Sequence, residues 1–303
     1  VSEKEAIGIT DILQSFVSPN LIHSMAQMEI LPLIVFSLVF GAVLTTLGEP
    51  GKQAIGFFDT INTAIMKIVH LIMYFAPIGV FALIASKLGA AGGGDLFLAE
   101  LAKIGKYVGT VLSALLVHGF VVLPMILYIT TRRNPVTYFK NVVAALTTAF
   151  STASSSATLP VTIECAEENN QVSRKSSLFV LPLAATVNMN GTALYECIAV
   201  LFIAQVMGIP LEFSSQFTIV VLSLLTSIGV AGVPSASLVA IVIILQNVVV
   251  QDARLDGAFA AIGAIYAVDR ILDMCRTSVN VYSDSCGAVI IASTEGEDLK
   301  VKA

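Results

Sequence analysis

Long runs without a charged side chain dominate the pattern of this 303-residue chain. Four of them stand out, namely Ile30–Gly48, Tyr107–Thr131, Ser176–Tyr195 and Phe213–Gln251. A helix needs about 20 apolar residues to cross the ~30 Å hydrocarbon core of a bilayer, and each run is close to that length or longer. The pattern therefore predicts an all-α polytopic membrane protein in which short loops connect the spanning helices.

Two apolar segments carry helix-breaking residues at their centres. Asn141–Ile163 contains the serine run 154–156 and Pro160; serine competes for backbone hydrogen bonds and proline removes one. Phe213–Gln251 would form ~58 Å of continuous helix, nearly twice the membrane thickness, and "SIGVAGVPSAS" (227–237) stands in its middle. We predict that each segment forms two short helices joined at a non-helical tip. For the longer segment, a loop between two ordinary spans is the alternative.

Both tips indicate a cavity, because irregular backbone survives at membrane depth only where it is buried in protein or lines a watery cavity. Each broken segment is followed by an apolar segment with polar groups at its centre, "ATVNMNGTALYE" (185–196) and "DRILDMCRTSVNVYSD" (269–284). Paired broken segments in corresponding parts of two halves indicate the binding site of a transporter built from repeats. The sequence therefore predicts an inverted-repeat transporter with two re-entrant helical hairpins.

The densest glycine cluster of the chain is "LGAAGGGD" (88–95). Two predicted spans precede it, the second running from about Thr63 to Leu88. Glycine-rich stretches act as flexible connectors. We therefore divide the chain into residues 1–95 and residues 96–303.

The composition agrees with a membrane protein, because 56% of the residues are apolar and only 12% are charged, against roughly 25% in soluble domains. The cysteines lack the CxxC spacing of a redox or zinc site and the setting of a disulfide framework, so we expect small buried residues. The histidines lie on separate segments and predict no zinc cluster, with a role in lining a water path as the alternative. These residues are Cys165, Cys197, Cys275, Cys286, His23, His70 and His118.

Charge is concentrated in the stretch 269–284, close to the end of the chain. At 100° per residue, five polar side chains fall within a stripe of about 80° on a helical wheel. They are Asp269, Asp273, Arg276, Asn280 and Asp284. Each Asp or Arg at the middle of a spanning helix costs about 2.5 to 3.5 kcal/mol, so this face must contact protein, water, ions or a charged ligand. Mutual neutralisation of Asp273 and Arg276 is the alternative, and it leaves Asp269 and Asp284 without a further base on the stripe.

These groups match one ligand chemistry. The Arg276 guanidinium is a planar fork for a carboxylate, Asp273 can bind an ammonium group, and Asp284 with backbone carbonyls can bind Na⁺. The serine-rich tip adds hydroxyls and free N–H groups at the N-terminus of a half-helix, where anions are favoured. A zwitterion with an additional carboxylate fits this set of groups.

Four motifs in this order resemble the dicarboxylate/amino acid:cation symporter family, which includes the glutamate transporters. They are "SSSATLPVT" (154–162), "NMNGTALYE" (188–196), "SIGVAGVP" (227–234) and "DRILDMCRTSVNVYSD" (269–284). The resemblance covers essentially the whole chain but starts inside the family pattern. We therefore expect this sequence to lack the first three membrane spans of the family.

The resemblance also implies an architecture and a mechanism. Residues 1–95 would belong to the scaffold of a homotrimer, and residues 96–303 to a transport domain that moves by an elevator-type alternating-access mechanism. The implied location is the cell membrane, plasma or inner, with several passes. The implied function is symport of aspartate or glutamate with Na⁺, and a C4-dicarboxylate:cation symporter is the alternative.

The resemblance assigns each part of the substrate to residues of this chain. The α-carboxylate is assigned to Ser154, Ser155 and Asn280; the ammonium group to Asp273, Thr277 and the Val233 carbonyl; and the side-chain carboxylate to Arg276 and Thr192, close to Ser237. Two sodium ions are assigned in the same way. One belongs with Asp284 and the carbonyls of Ala184, Asn188 and Asn280, and the other with the carbonyls of Thr186, Ser227, Ile228 and Val230.

Asn190 departs from the family pattern, in which an acid at this position helps to form a third sodium site. The other ligands of that site come from the third span, and a hydrogen bond from Asn190 to a neighbouring helix is the alternative. Relatives also tend to carry a second arginine where this chain has Ala153 or Met274, and several have glycine in place of Ser235 and Ser237. The number of coupled sodium ions stays open. A proton is the candidate that would replace the positive charge of a missing sodium ion.

An intramembrane protease and an ion channel are the competing classes. A protease needs a nucleophile paired with a histidine, or two acids on facing helices, whereas the serine run has no histidine in either half of the repeat and the acids share one helix with Arg276. A stripe of mixed sign with a bidentate arginine is a poor lining for rapid ion flow. We therefore expect a transporter and no enzyme, with the lipid bilayer and an acidic amino acid as partners and no nucleic acid.

Overall fold

The computed structural model describes residues 17–26, 30–75, 78–79, 81–82, 85–86, 89, 94–229, 237–249, 255–297 and 299. Helices account for most of these residues and none of them lies in a β-strand, which confirms the all-α class for this part of the chain. The helices are α1 Leu21–Ala26, α2 Ile30–Thr46, α3 Glu49–Met73, α4 Gly94–Val117, α5 Leu123–Thr131, α6 Pro135–Thr152, α7 Ser155–Glu164, α8 Arg174–Val187, α9 Asn190–Val206, α10 Phe213–Gly229, α11 Ser237–Ile244 and α12 Leu255–Thr294. Short π-helical segments at His118–Val122, Cys165–Asn169 and Leu245–Val249 follow α4, α7 and α11.

The chain forms two compact units, residues 1–92 and residues 93–303. In the first unit, α2 and α3 meet at Gly48, whose φ of 64° is a conformation that favours glycine. A Cβ at Gly51 would lie 2.0 Å from the carbonyl oxygen of Leu44, so α3 packs directly on the backbone of α2. The assignment of the two units to a scaffold and a transport domain stays a prediction.

Helix α3 begins earlier than the sequence pattern suggested. It starts at Glu49, whereas the second span was predicted to start at about Thr63. Pro50 lies in the first turn of α3, where its missing N–H costs no hydrogen bond and its fixed φ suits a helix. Charges such as those of Lys52 and Asp59 oppose burial in lipid but do not interrupt a helix, so the start of the apolar run was a poor guide to the start of α3.

The second unit opens with a long helical rod, α4 to α5, which is continuous through the π-helical segment between them. Within it, Leu101–Thr131 is long and apolar enough to cross a membrane, and so is Arg174–Val206, which comprises α8 and α9. Large apolar side chains such as Leu116, Phe120 and Met125 are more than half exposed on the rod. A surface of this kind suits lipid better than water.

Helices α6 and α7 form the first interrupted segment. They are antiparallel, because the Asn141 and Asn169 side chains each donate to the other's backbone carbonyl, at 3.0 and 2.9 Å. The chain reverses at Ala153, which has a φ of 50°, and at Ser154, whose hydroxyl accepts from the Ala157 N–H and caps α7. The break therefore comes at the start of the serine run. The expectation that Pro160 contributes to it was wrong, because α7 continues through this proline.

Helices α10 and α11 lie in the second interrupted segment and pack against each other. Residues 230–236 between them, which include Val230 and Val233, lie outside the described residues. Helix α11 has 8 residues, and the π-helical segment after it has 5.

Helix α12 is the central element of the second unit. Its 40 residues contribute to two separate buried clusters. One joins it to α6, α7 and α8 around Leu181 and Val289, and the other joins it to α4, α9, α10 and α11 around Ile203 and Leu272. The polar stripe of α12 therefore lies inside protein.

Candidate binding site in the second unit

The predicted polar stripe of α12 is buried along its whole length. The five side chains are Asp269, Asp273, Arg276, Asn280 and Asp284, and none is more than 3% exposed. This confirms that the stripe faces protein and not the surroundings. Three separate groups of contacts follow along it, one around Arg276, one around Asn280 and one around Asp284.

Arg276 forms two ion pairs within its own helix. Its Nη1 lies 2.7 Å from Asp269 Oδ1, and its Nη2 lies 2.9 Å from Asp273 Oδ1. Long side chains in a helix lean toward its N-terminus, and this places the fork of Arg276 between the two acids. The stripe has no further base, as expected, but the expectation that pairing of Arg276 with Asp273 leaves Asp269 over was wrong, because one arginine pairs with both acids.

Tyr195 of α9 completes the group around Arg276. Its hydroxyl donates to Asp269 Oδ1 at 2.7 Å, and the Arg276 guanidinium lies 4.2 Å from the centre of its ring. An arginine on an aromatic face gains a cation–π attraction, which is strongest away from water. Guanidinium has five N–H donors, and the two ion pairs use one hydrogen on each terminal nitrogen. Donors therefore remain for a carboxylate ligand.

Asn280 joins α12 to the first turn of α9. Its Nδ2 donates to Thr192 Oγ1 at 3.0 Å, and its Oδ1 accepts from the Gly191 N–H at 2.7 Å. A Cβ on Gly191 would lie only 2.8 Å from the Arg276 carbonyl oxygen. Glycine at this position therefore allows α9 to approach α12 closely enough for the Asn280 amide to bond both Gly191 and Thr192.

Asp284 lies beside the break between α8 and α9. Asn188 donates from Nδ2 to Asp284 Oδ1 and to Ser283 Oγ, both at 2.9 Å. Asn190 donates to Ser283 Oγ at 2.6 Å, and its Oδ1 accepts from the Gly191 N–H at 2.8 Å. The site at Asp284 thus brings a buried carboxylate, two amides and a hydroxyl together.

The comparison with known proteins decides the family of this chain. Residues 1–294 match the Sodium:dicarboxylate symporter family. The chain belongs to this family. It is 43% identical over 276 residues to excitatory amino acid transporter 1 of Ambystoma tigrinum, which covers 89% of the chain and 48% of that relative. It is also 43% identical over 274 residues to excitatory amino acid transporter 3 of Homo sapiens, with 90% of the chain and 50% of the relative covered.

Membership of the sodium:dicarboxylate symporter family confirms two expectations. The chain is a multi-pass protein of the plasma membrane, and it belongs to a family of transporters and not of enzymes. The chain spans about half the length of the curated relatives that it matches.

The other residues assigned from the family pattern lie on the elements around α12. Ser154 and Ser155 form the start of α7, which packs against α12, and Ser155 is buried. Thr277 and Ser227 are buried as well, and the Ser227 hydroxyl donates to its own helix. The Ser237 hydroxyl is buried at the start of α11 and has no hydrogen-bond partner among the described residues.

The Asn280 carbonyl assigned to sodium lies within α12, whereas the other assigned carbonyls that are described lie at two helix ends. Ala184, Thr186 and Asn188 belong to the end of α8, where the Ala184 carbonyl accepts the Asn188 N–H at 2.9 Å. Ile228 lies in the last turn of α10 with Ser227. A carbonyl oxygen has two lone pairs, so the bond to Asn188 leaves the Ala184 oxygen capable of a second contact.

Sequence reasoning missed three residues of this region. Tyr195 and Ser283 make the contacts described above. Glu196 is fully buried, accepts from Thr226 Oγ1 at 2.8 Å through Oε2, and has no partner for Oε1 within the described part of the chain. A carboxylate on an apolar helix was the available signal for Glu196, whereas the tyrosine and the serine carry no charge that would have marked them.

Proposed function

We propose that the complete protein is a secondary active symporter that moves aspartate or glutamate across the plasma membrane together with Na⁺. The observation that carries this proposal is the Arg276 guanidinium, which is buried between Asp269 and Asp273 and retains donors for a carboxylate. A permanently charged group at this depth needs a functional reason. Membership of the sodium:dicarboxylate symporter family supports the same reaction.

The substrate occupies the space along the α12 stripe in this proposal. Arg276 and Thr192 bind the side-chain carboxylate, and Asp273 receives the ammonium group with Thr277 and the Val233 carbonyl. The α-carboxylate lies at the start of α7, at Ser154 and Ser155 with Asn280, and Ser237 closes the site from α11. The cap of α7 supports this arrangement, because N–H groups at a helix N-terminus favour an anion.

Sodium binds at two places in this proposal. The first uses Asp284 with the carbonyls of Ala184, Asn188 and Asn280, and the second uses the carbonyls of Thr186, Ser227, Ile228 and Val230. The contact of Asn188 with Asp284 at 2.9 Å supports the first place, since it brings the end of α8 to a buried carboxylate. Hard cations prefer oxygen ligands of this kind.

Elevator-type movement and a homotrimer complete the proposal. Residues 1–95 supply part of a trimeric scaffold, and residues 96–303 form the moving transport domain with two re-entrant hairpins, α6–α7 and α10–α11. The antiparallel packing of α6 and α7 supports the first hairpin. The short α11 supports the second, because 8 residues are far fewer than the number that crosses a membrane.

A C4-dicarboxylate without an amine is the second candidate substrate. One observation favours this candidate, namely the ion pair between Asp273 and Arg276 at 2.9 Å. An acid that is already neutralised does not require an ammonium group from the substrate. The two candidates therefore differ in whether Asp273 changes partner on binding.

Sodium-dependent uptake decides between these functions. We expect the complete protein in proteoliposomes to accumulate labelled aspartate saturably when an inward Na⁺ gradient is present. Unlabelled aspartate and glutamate should compete strongly and succinate weakly, because in the proposed binding mode Asp273 exchanges Arg276 for the ammonium group of the substrate. Stronger competition by succinate identifies the dicarboxylate symporter, and uptake without Na⁺ dependence contradicts both.

The ion stoichiometry provides a second prediction, at Asn190. Replacing a carboxylate by an amide removes a full charge while one oxygen remains for coordination, and in a low-dielectric site the charge is the larger contribution. We therefore expect the native protein to couple to fewer sodium ions than Asn190→Asp, or to bind the third one more weakly, with a proton making up the charge. Reversal potentials in proteoliposomes measure Na⁺ per substrate for both forms.

The hydrogen bond from Asn190 to Ser283 provides the control for this experiment. If Asn190 serves only to join α9 to α12, Ser283→Ala should disturb transport as much as Asn190→Asp does and should leave the stoichiometry unchanged. Three sodium ions with equal affinity in both the native form and Asn190→Asp would contradict the proposed role.

A further inference from the structure

The residues after α12 form a close contact with the start of α8. Glu297 Oε2 accepts from the Ser173 N–H at 2.8 Å, and Oε1 accepts from the hydroxyls of Ser173 and Ser176 at 2.6 and 2.5 Å. Ser173 is also the N-cap of α8, and its hydroxyl oxygen accepts from the Ser176 N–H. Glu297 therefore caps α8 with a carboxylate, which is the charge that a helix N-terminus favours.

The charge state of Glu297 fits this contact. Burial acts to raise the pKa of its carboxyl, but the hydrogen bonds from Ser173 and Ser176, with nearby Lys175, outweigh burial and hold the pKa below its usual value. Glu297 is thus ionised at neutral pH. Hydrogen bonds to an ionised acceptor are about twice as strong as neutral ones.

A second contact holds the same segment in place. Arg133, in the connection between α5 and α6, donates through Nη2 to the Leu299 carbonyl and, at 3.1 Å, to the Asn170 carbonyl just before α8. Of the described residues after α12, Glu297 is therefore bonded to the start of α8, and Leu299 is bonded to the connection between α5 and α6.

Helices α8 and α12 are consequently joined at both ends. At one end Asn188 bonds Asp284, and at the other Ser173 bonds Glu297. Fifteen residues separate the two points along α8, about 22 Å of helix, and the antiparallel path runs through the last ten residues of α12 and then three residues to Glu297. The two joints together set the position of one helix along the other.

Helix α8 needs such a second joint because its own backbone is weakened. Pro182 lies inside α8 and removes one hydrogen bond from the middle of the helix. Leu181, next to it, is fully buried in the same cluster as Val289 of α12. Packing holds the two helices together, but apolar contacts alone tolerate small sliding movements.

We propose that Glu297 is a positioning residue for the sodium site, in that its bonds to the start of α8 hold Asn188 and the carbonyls before it in register with Asp284. The inference rests on the proposed function for the identity of the cation. A shift of α8 along α12 would move these oxygen atoms relative to the Asp284 carboxylate. Sodium affinity would change, although Glu297 contacts α8 about 20 Å along the helix from Asn188.

The test compares Glu297→Ala with Glu295→Ala in the complete protein. Glu295 is exposed in the turn that follows α12, so it provides a matched loss of charge. We expect Glu297→Ala to raise the Na⁺ concentration for half-maximal aspartate uptake about fivefold, with the maximal rate at saturating Na⁺ kept. Glu297→Gln should fall between, because its amide still accepts hydrogen bonds. The double variant with Ser173→Ala and Glu297→Ala should raise the Na⁺ concentration for half-maximal uptake by less than the two single effects combined.

A measurement that needs no transport separates this inference from the proposed function. Hydrogen–deuterium exchange without Na⁺ should show faster exchange of the amides of residues 187–191 in Glu297→Ala than in Glu295→Ala. If the native protein shows no Na⁺-dependent uptake, the proposed function fails and the exchange result still tests the positioning role. Equal exchange in the two variants overturns the inference. So does a Na⁺ dependence of Glu297→Ala that equals the native one, when the native protein transports. If Glu297→Ala is slower at every Na⁺ concentration but has the native Na⁺ concentration for half-maximal uptake, the inference is overturned as well, because such a result shows a purely structural role.

Discussion

Arg276→Cys should abolish Na⁺-dependent uptake of aspartate and glutamate, with a loss of at least about a hundredfold. The substitution removes the guanidinium that is proposed to bind the side-chain carboxylate, and it leaves Asp269 and Asp273 without their common partner. Hydrogen bonds to charged groups contribute about 1.5 to 3 kcal/mol each, so the loss of two of them to a carboxylate exceeds the ~2.7 kcal/mol of a hundredfold change. Initial rates of aspartate uptake in proteoliposomes, normalised to inserted protein, give the result.

Arg270→Cys is the matched control, because Arg270 is on the same helix and exposed. It should transport aspartate at nearly the native rate. A neutral amino acid of similar size should be accepted by Arg276→Cys better than by the native protein, since the new side chain offers no charge to a carboxylate. Such uptake also shows that the variant folds. Undiminished aspartate uptake by Arg276→Cys contradicts the assignment of this residue to the substrate.

The pattern of the α12 stripe could be read from the sequence, because helical spacing alone determines which side chains share a face. The groups that these side chains contact could not be predicted from the sequence. The ion pair between Arg276 and Asp269 joins residues seven positions apart, and it depends on the direction that a long side chain takes. Tyr195 enters from another helix, so its bond to Asp269 required knowledge of which helices pack together.

The interruptions of the helices were predictable to different degrees. The serine run marked the break between α6 and α7, because an N-cap serine has a local hydrogen-bonding role. The break at Asn188 and Met189 went unpredicted within the apolar run Ser176–Tyr195. No glycine or proline stands at these two positions, and the bonds of Asn188 and Asn190 to Ser283 and Asp284 contribute to holding this geometry. Contacts between distant segments were invisible to a reading of local sequence.

The arrangement around Arg276 suggests why an acidic substrate matters in the proposed mechanism. Two carboxylates and one guanidinium leave an excess negative charge in this buried group if both acids are ionised. A substrate with a further carboxylate adds to that excess, so its entry is favoured only when cations enter with it. In the proposed function, charge balance would thus link the entry of an acidic amino acid to the entry of Na⁺, and Asp284 is the acid proposed to bind one of the cations.

Gly191→Ala should reduce aspartate uptake by more than about tenfold. The new Cβ would lie 2.8 Å from the Arg276 carbonyl oxygen and 3.0 Å from Asn280 Oδ1, and the first of these is backbone that cannot rotate away. Overpacking of this kind costs about 1 to 3 kcal/mol. Helix α9 must move off α12, which lengthens the bond from the Gly191 N–H to Asn280 and shifts Thr192. Uptake kinetics for aspartate and Na⁺, together with thermal unfolding in detergent, measure both effects.

Gly287→Ala is the control for this prediction, because it places the same methyl group on α12 where no atom lies within 4 Å. Alanine favours a helix over glycine by about 1 kcal/mol, so this variant should unfold at the native temperature or above and transport normally. If Gly191→Ala transports and unfolds as Gly287→Ala does, α9 and α12 can separate without consequence. The close approach at Gly191 would then have no part in holding Asn280 and Thr192 for the substrate.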